Sequence, residues 1–378
     1  MKIGIPKETL PGETRVAVIP AMISTLTKLE HQVLVEKGAG LSASFSDDQY
    51  TEAGADIAEN SKKLYDAVDI ILKVQPPMKS ESEMLKNGSV LISNLAPLNH
   101  LDIIKILADR KITSFSMEFV PRITRAQSMD TLSSMATIAG YKAVLIAADH
   151  LGKIFPLLMT AAGSIPPATV FVLGAGVAGL QAIATAKRLG AKVEAFDPRP
   201  AVKEQVKSLG AQFVDMELPE ENVETVGGYA NEQSDAFLLK EQEAIAARLP
   251  KVDVVITTAQ IFGKKAPILI TESMVKSMRP GSIIIDLAAE QGGNCEITES
   301  NKTIIKHNIT VYGAENLPAK VPVHASQMYS KNITNLFKHL LQEGHYDFED
   351  EITKGACITH EGQIKNQMIA DALKKGGK

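Results

Sequence analysis

The sequence predicts an α/β protein, and two observations support this fold class. Strand-like apolar runs alternate with helix-like stretches along most of the chain, as is typical of parallel sheets flanked by helices. A glycine-rich turn also joins a buried strand to a helix near the middle of the 378 residues. A chain of this length suffices for two ordinary domains. We therefore expect two Rossmann-like domains with parallel sheets and a cleft between them.

The glycine-rich turn has the pattern G-x-G-x-x-G at Gly174, Gly176 and Gly179. It follows the β-branched and aromatic run 169–173 and precedes a helical pattern at 177–189. The first glycine allows a tight bend, the second lets a pyrophosphate approach the backbone, and the third allows close helix packing. Free N–H groups and the positive dipole end of the helix favour phosphate. This context predicts a dinucleotide site rather than a tight turn without a ligand.

An acid ends the next predicted strand, 192–196, at about the distance from the glycines that such sites require. This acid is Asp197. A carboxylate there accepts from a ribose diol and repels a 2′-phosphate, so it favours NAD(H) over NADP(H). Arg199 follows closely, and an arginine in this place can bind a 2′-phosphate in NADP enzymes. With Asp197 intact, we interpret Arg199 as a neighbour of the pyrophosphate or adenosine.

Composition excludes several other classes of function. A net charge of −4 argues against bulk binding of nucleic acid. No apolar run reaches the roughly 18–20 residues that span a bilayer, and the N-terminus lacks the apolar core of a signal peptide. Cys295 and Cys357 have no metal-ligand spacing. We predict no metal site and two free cytosolic thiols.

The first 120 residues or so repeat the α/β alternation without a second G-x-G-x-x-G turn. The predicted strands are 2–5, 32–35, 69–74, 90–94 and 112–117, and the predicted helices are 21–29, 61–66, 82–86 and 101–109.

Two basic residues in this region allow two interpretations each. Arg15 lies in a charge-dense segment that could form a substrate pocket, although a surface ion-pair network is the interpretation that the spacing favours. Lys73 stands inside an apolar strand, where a lysine is rarely buried without a partner. Its spacing is equally compatible with a functional residue and with an edge strand.

A second candidate site is the segment 119–130, here called the polar loop. It follows a strand end, carries charged and amide side chains, and leads into a long helical pattern at 132–150. Ligands of open α/β sheets bind beyond the carboxyl ends of strands. The segment is also compatible with an ordinary helix lead-in that has Asp130 as its N-cap, and both interpretations can hold together.

The remaining chain predicts strands 211–214, 252–257, 282–286 and 308–312 and a helix at 325–341. The acidic, aperiodic stretch 216–234 contains Gly227, Gly228 and Tyr229, and we interpret it as a lid rather than a simple surface insertion. Thr258 and Ala259 end a strand beside the predicted cleft. We expect the last long helix to return to the first domain. The predicted domains are 1–132 plus 322–378, Rossmann-like and discontinuous, and 133–321, which binds NAD(H).

Several runs resemble one known family along nearly the whole chain. The sequence is similar to the NAD(H)-binding component, domain I, of the proton-translocating NAD(P) transhydrogenases, within the alanine dehydrogenase/transhydrogenase family. The run Arg-Ala-Gln-Ser-Met-Asp, 125–130, is specific to the transhydrogenases, whereas the opening segment and the glycine turn are shared with alanine dehydrogenases. The matching runs are 4–8, 12–17, 121–130, 132–134, 174–179, 196–199, 202–206, 227–229, 285–288 and 292–295. Phe262 stands where the family pattern has proline.

The resemblance implies a subunit that passes hydride directly from bound NADH to NADP⁺ on a partner. That partner is the NADP(H)-binding domain III of the membrane beta subunit, and a separate, membrane-spanning piece of the alpha subunit completes the complex. The family also implies a homodimer, located in the cytoplasm and peripheral on the cytoplasmic side of the inner membrane without inserting into it. Proton translocation is coupled in the membrane subunit.

The resemblance also implies roles for particular residues. Gln127 reaches the distal nicotinamide ribose, Arg122 and Asp130 fix the polar loop and the nicotinamide end, and Ser133 binds near the carboxamide. Tyr229 completes the catalytic set from the closing loop. The implied NAD(H) contacts are Arg122, Gln127, Ser128, Met129, Asp130, Ser133, Gly174, Gly176, Val177, Gly179, Asp197, Pro198, Arg199, Gly228, Thr258 and Ala259.

The main alternative is an alanine dehydrogenase-like, NAD-dependent amino-acid dehydrogenase. Such enzymes need a catalytic histidine after strand 90–94, where this chain has Leu95, Ala96 and Pro97, and they carry aspartate where it has Glu290. Without the histidine no general acid/base is evident for imine chemistry. A second alternative is an NADH-binding regulatory module without turnover. The polar loop argues against it, since a sensor need not expose the nicotinamide to a partner.

Overall fold

The computed structural model describes residues 1–216, 233–261, 263–341 and 346–376. The chain divides into two compact units: unit 1 is Met1–Met135 with Ala319–Lys378, and unit 2 is Ala136–Pro318. Both units are α/β, as the sequence predicts. Gly227, Gly228 and Tyr229 of the predicted lid lie outside the described residues, and so does Phe262.

Unit 1 alternates strands and helices up to the polar loop and then resumes near the C-terminus. Its strands are β1 (Lys2–Ile5), β2 (Gln32–Glu36), β3 (Asp56–Ala58), β4 (Ile70–Leu72), β5 (Val90–Ser93), β6 (Thr113–Ser116), β16 (Cys357–His360) and β17 (Gln363–Ile364). Its helices are α1 (Pro20–Thr27), α2 (Asp47–Glu52), α3 (Ser61–Ala67), α4 (Lys79–Met84), α5 (Leu101–Asp109), α11 (Pro322–Leu340), α12 (Glu351–Ala356) and α13 (Gln367–Gly376).

The sheet of unit 1 has the order β17-β16-β6-β5-β4-β1-β2-β3 in the described portion of the chain. From β1 the chain builds outward through β2 and β3, and it then returns to place β4, β5 and β6 on the other side. The strand order therefore reverses between β1 and β4, which makes their carboxyl ends the topological switch point of this sheet. The edge formed by β16 and β17 is antiparallel, so the prediction of a purely parallel sheet is wrong at this edge.

Unit 2 contains the glycine-rich turn, and it follows the same α/β alternation. Its strands are β7 (Leu158–Thr160), β8 (Gly163–Ile165), β9 (Thr169–Leu173), β10 (Lys192–Phe196), β11 (Gln212–Phe213), β12 (Val254–Thr257), β13 (Ile283–Asp286), β14 (Thr303–Lys306) and β15 (Ile309–Gly313). Its helices are α7 (Val177–Arg188), α8 (Lys203–Ser208), α9 (Asp235–Ala246) and α10 (Glu272–Lys276), while α6 (Thr131–His150) begins in unit 1 and continues into unit 2.

The main sheet of unit 2 has the order β11-β10-β9-β12-β13-β15-β14 among the described residues. All neighbours pair in parallel except β14, which is antiparallel to β15 and was not predicted from the sequence. The chain moves outward from β9 through β10 and β11 and then returns to β12 on the other side of β9. The switch point of this sheet therefore lies at the carboxyl ends of β9 and β12.

One buried carboxylate, that of Asp286 at the end of β13, organises the loops at this sheet edge. It accepts hydrogen bonds from Thr257 Oγ1 at 2.9 Å and Thr298 Oγ1 at 2.7 Å. It also accepts from the backbone N–H groups of Ala288, Asn294 and Cys295, at 2.8–3.0 Å. A fully buried carboxylate is stable only with partners of this kind, so the side chain fixes the course of the chain after β13.

Three short elements escaped the sequence prediction for a common reason, which is that each has too few residues to show a period. α2 is an example, although it carries a local start signal that could have been recognised. Ser46 Oγ accepts from Gln49 N at 3.3 Å and Gln49 Oε1 accepts from Ser46 N at 2.9 Å, which is a capping box. The other missed elements are β3 and the hairpin of β7 and β8.

The hairpin of β7 and β8 stands clear of the rest of unit 2. Every residue from 156 to 166 is exposed, including the large apolar side chains of Leu158, Met159 and Ile165. The sequence expectation that the second domain begins with a structure-free lead at 163–168 is therefore wrong. A contiguous exposed apolar surface of this kind is unusual for a monomer.

α6 is the one helix in the described ranges that is long and apolar enough to cross a membrane by length and composition. The sequence was expected to contain no such segment, so this is a correction by that criterion. Ala143, Val144 and Ala147 of α6 are fully buried in the apolar core of unit 2. Burial in a protein core explains why this helix is apolar.

α6 approaches the start of α7 so closely that only glycine fits at the contact. A Cβ on Gly140 would lie 2.1 Å from the carbonyl oxygen of Ala178, a backbone atom that cannot move away cheaply. The absence of a side chain at Gly140 therefore sets the distance between these two helices.

We expect Gly140→Ala to lower the free energy of unfolding by about 1–3 kcal/mol, the usual range for overpacking, although alanine normally favours a helix. Denaturant unfolding followed by circular dichroism measures this change. Gly152→Ala is the matched control, because a Cβ there meets nothing within 4 Å among the described residues and the backbone needs no positive φ. Equal stability of the two variants would contradict the steric explanation.

Candidate functional site

The glycine turn, residues 174–179, lies at the switch point of the unit 2 sheet because it directly follows β9. The parallel pairing continues past the strand end, since Gly174 N donates to Phe196 O at 2.9 Å. α7 then begins with Gly176 as its N-cap and has no side-chain cap. The first N–H groups of this helix therefore point toward the region where open α/β sheets bind ligands.

The three glycines differ in what surrounds them, in the way the motif predicts. Gly174 has φ +94°, a conformation that other residues rarely adopt, and a Cβ there would lie 2.4 Å from Thr258 Oγ1. A Cβ on Gly179 would lie 1.9 Å from the carbonyl oxygen of Gly174, so this glycine allows helix and turn to pack. Gly176 has open space: the one described atom near its Cβ position is Nη2 of Arg199, at 3.8 Å.

Thr258, which follows β12, holds the turn from the other side of the switch point. Its N–H donates to Leu173 O at 2.8 Å, and its hydroxyl donates to Gly174 O at 3.1 Å. The adjacent Ala259 N–H donates to Asn294 Oδ1 at 3.0 Å, and Asn294 is itself fixed by Asp286. Asn294 was not singled out as a site residue, although the Gly-Gly-Asn sequence at 292–294 marks an unusual turn.

Asp197 is buried at the end of β10 beside the glycine turn. Its Oδ2 accepts from Ala175 N at 2.7 Å and from Arg199 Nη2 at 2.8 Å. Its Oδ1 accepts from the backbone N and the Nε of Arg199, both at 2.9 Å. The structure thus joins Asp197, Arg199 and the glycine turn in one cluster, and half-buried Pro198 forms the link between the two charged residues.

The polar loop of unit 1 combines buried and exposed residues within one 3₁₀ turn, Thr124–Met129. Ala126 and Met129 are buried in the core of unit 1, whereas Gln127 and Ser128 are exposed. Two asparagines of α11, Asn332 and Asn335, donate to the Ser128 carbonyl at 2.9 and 3.3 Å. These bonds and the two buried residues hold the turn so that Gln127 is presented to solvent. Neither asparagine was predicted from the sequence, because no local pattern links α11 to the loop.

Asp130 ends the polar loop and starts α6. Its carboxylate accepts from Ser133 N at 2.8 Å and from Ser133 Oγ at 2.6 Å, which is the N-cap arrangement. Arg122 Nε lies 4.0 Å from the same carboxylate. Arg125 forms an ion pair with Asp350 and thereby ties the loop to the segment before α12. Arg122, Asp130 and Ser133 are therefore brought together as expected of a loop-fixing group.

The switch point of the unit 1 sheet is filled by charged side chains. Lys73, which follows β4, is 1% exposed, and its Nζ lies 2.9 Å from Glu81 Oε1 and 3.3 Å from Glu8 Oε2. Burial opposes the lysine charge, but Glu8 and Glu81 outweigh this effect and raise the pKa of Lys73. β4 is a central strand, so the edge-strand interpretation of Lys73 is wrong.

Arg15 is also paired in the interior of unit 1. It is 4% exposed, and its guanidinium binds Glu13 through Nε at 2.8 Å and Nη2 at 2.6 Å. Burial would raise the pKa of Glu13, but the arginine outweighs it and lowers this pKa to about 2. The favoured interpretation of a surface network is wrong in its location, because the ion pair is buried.

The position that would carry a catalytic histidine in an alanine dehydrogenase has a different structure. The N–H groups of Leu95 and Ala96 donate to Glu118 Oε2 at 2.9 and 2.8 Å, and Ser116 Oγ donates to the same atom. Burial raises the pKa of the Glu118 carboxyl. His100 serves as the N-cap residue of α5, without a side-chain bond to that helix.

Two family models match the chain in succession. The model described as alanine dehydrogenase/PNT, N-terminal domain, matches residues 4–139, and the one described as alanine dehydrogenase/PNT, C-terminal domain, matches residues 143–367. Together they cover most of both units.

Curated relatives match over nearly their full length. The first of the two pieces of the NAD(P) transhydrogenase alpha subunit of Rhodospirillum rubrum is 48% identical over 374 residues, which are 96% of this chain and 97% of that protein. Alanine dehydrogenase 2 of Staphylococcus aureus (strain USA300) is 32% identical over 384 residues, with 99% of this chain and 96% of that protein covered.

A solved structure agrees with these relationships. The crystal structure of transhydrogenase from Sinorhizobium meliloti has a TM-score of 0.86 and 39% sequence identity, covering 97% of this chain and 100% of that one. The fold class and the resemblance predicted from the sequence are confirmed. The chain belongs to the alanine dehydrogenase/PNT family.

Proposed function

We propose that this protein is the NAD(H)-binding subunit of a transhydrogenase and passes hydride from NADH to NADP⁺ held on a partner. The observation that carries the proposal is Gln127, which is exposed on a turn fixed by buried neighbours and by two asparagine side chains. A rigid loop that presents an amide to solvent suits a site completed by another protein. The similarity to transhydrogenase alpha subunits supports the same conclusion.

Unit 2 has the features that an NAD(H) site requires. The open space at Gly176 and the uncapped start of α7 suit a pyrophosphate, and Asp197 suits the ribose diol. Val177 is exposed beside Gly176, and Thr258 and Ala259 border the turn. We assign NAD(H) to this unit and NADP(H) to the partner.

The chemistry asks little of the side chains. A hydride and its electron pair leave one reduced nicotinamide and join an oxidised one, so the reaction needs no proton donor, base or nucleophile. The protein must position the rings and exclude water. Arg122, Asp130 and Ser133 form the bonded group that fixes the polar loop, and we assign the nicotinamide end to this group.

The partners follow from the same assignment. We propose that domain III of a membrane beta subunit supplies NADP⁺, that a separate piece of the alpha subunit spans the membrane, and that the protein works as a homodimer on the cytoplasmic face. The exposed apolar hairpin of β7 and β8 supports dimer formation, because burial of Leu158, Met159 and Ile165 would remove apolar surface from water.

The deciding assay mixes the protein and NADH with domain III loaded with an NADP⁺ analogue whose reduced form absorbs at a distinct wavelength. A parallel sample contains pyruvate and ammonia instead. Reduction of the analogue only with domain III present is the expected result. Oxidation of NADH by pyruvate and ammonia would instead support the amino-acid dehydrogenase, and NADH binding without turnover in either sample would support a regulatory module.

We expect Gln127→Asn to slow hydride transfer by about 100-fold, since an amide shortened by one methylene misplaces the rings, and to leave the Kd for NADH within about twofold. Stopped-flow absorbance and fluorescence titration measure the two quantities. Thr124→Ser is the control, because Thr124 is an exposed residue of the same turn. A parallel loss of NADH affinity would contradict the assignment of Gln127 to the interface between the rings.

We expect Met159→Lys to convert the dimer to monomer at micromolar concentration, because it places a charge on the apolar hairpin. Light scattering after size-exclusion chromatography measures the mass. Ile305→Lys on β14 is a matched control, since the two residues are 74% and 73% exposed. A dimer that survives Met159→Lys and Leu158→Lys would remove the hairpin from the interface.

A further inference from the structure

α9 carries one acid on an otherwise apolar buried face. Phe237, Glu241 and Ile245 are four residues apart and form the buried stripe of this helix, with exposures of 1%, 5% and 0%. Ionisable residues are rarely this buried without a partner. Burial and the neighbouring charge of Asp197 act on Glu241, and no hydrogen bond from the described residues contributes.

The stripe faces the end of the unit 2 sheet that carries the acid predicted to bind ribose. Ile245, one turn after Glu241, belongs to the same apolar core as Phe196, the residue that precedes Asp197. The charge of Asp197 is the one neighbouring charge that acts on the Glu241 carboxyl, and together with burial it raises the pKa of Glu241 to about 7. Glu241 and Asp197 therefore belong to one corner of unit 2.

The charge balance of this corner gives Glu241 a purpose. Asp197 is paired through two of its side-chain bonds with the Arg199 guanidinium, so the pair is close to neutral. A 2′-phosphate could displace the carboxylate and bind Arg199 in its place, as arginines do in NADP sites. Asp197 alone is then a weak barrier to NADP(H), and a second acid is needed to make the corner negative.

We propose that Glu241 is a specificity-determining residue, a second acid beside Asp197 that excludes the 2′-phosphate of NADP(H) from this site. The inference rests on the proposed NAD(H) site and extends it. The 2′-phosphate is attached to the hydroxyl next to Asp197, so its charge meets Glu241 in a poorly solvated corner, where repulsion between like charges is strong. A ribose diol carries no charge and is accepted.

The test compares NADH and NADPH binding by the full-length chain at pH 8, by fluorescence titration. We expect Glu241→Gln to tighten NADPH binding by about tenfold and to change NADH binding by less than about twofold. Glu243→Gln is the matched control, because Glu243 is exposed on the same helix and its loss changes the net charge equally. It should leave both affinities unchanged.

The outcomes separate this inference from the proposed function. If the unchanged protein binds NADH and Glu241→Gln leaves the ratio of the two affinities as it was, the inference is wrong and the proposed function stands. If the unchanged protein binds no NADH, the proposed site itself is wrong. Should Glu241→Gln fail to fold, Glu241→Met removes the charge with an apolar side chain of similar length, and the same ratio decides.

Discussion

The loops around the glycine turn depend on one buried carboxylate, that of Asp286. It binds three backbone N–H groups and two hydroxyls, and hydrogen bonds to a charged group contribute about 1.5–3 kcal/mol each. Through Asn294 it sets the position of Ala259, and the neighbouring Thr258 bonds to the carbonyl of Gly174. The turn is therefore held by a chain of polar contacts that begins at the next strand but one, not by its own sequence alone.

The two units share a topology and use it differently. Each has a switch point where strand order reverses, and in unit 1 that position is filled by buried ion pairs such as Lys73 with Glu81. In unit 2 the same position has glycines and the start of a helix without a side-chain cap. A buried pair that satisfies itself leaves little for a ligand to gain, whereas open backbone N–H groups favour an anion.

Elements with a strong period or a full motif were predictable from the sequence: β9, β10 and α5 have the bounds expected of them. Short elements were not, because α2 and the β7–β8 hairpin have too few residues to show a period. The glycine roles followed from the motif, whereas the bonds from α11 to Ser128 join residues about 200 positions apart, which no local pattern reports. The same limit explains why Glu241 was missed and why Arg15 was expected at the surface.

The pairing of Asp197 has a further consequence for how a ligand enters. A carboxylate has about four acceptor positions, and Ala175 and Arg199 already supply four donors to this one. A ribose diol must therefore compete with the arginine side chain for the same oxygens. The displaced guanidinium lies beside Gly176, where a pyrophosphate would offer it a new counter-ion. Binding would then be an exchange of one ionic partner for another, a reaction whose salt dependence is smaller than the formation of a new ion pair.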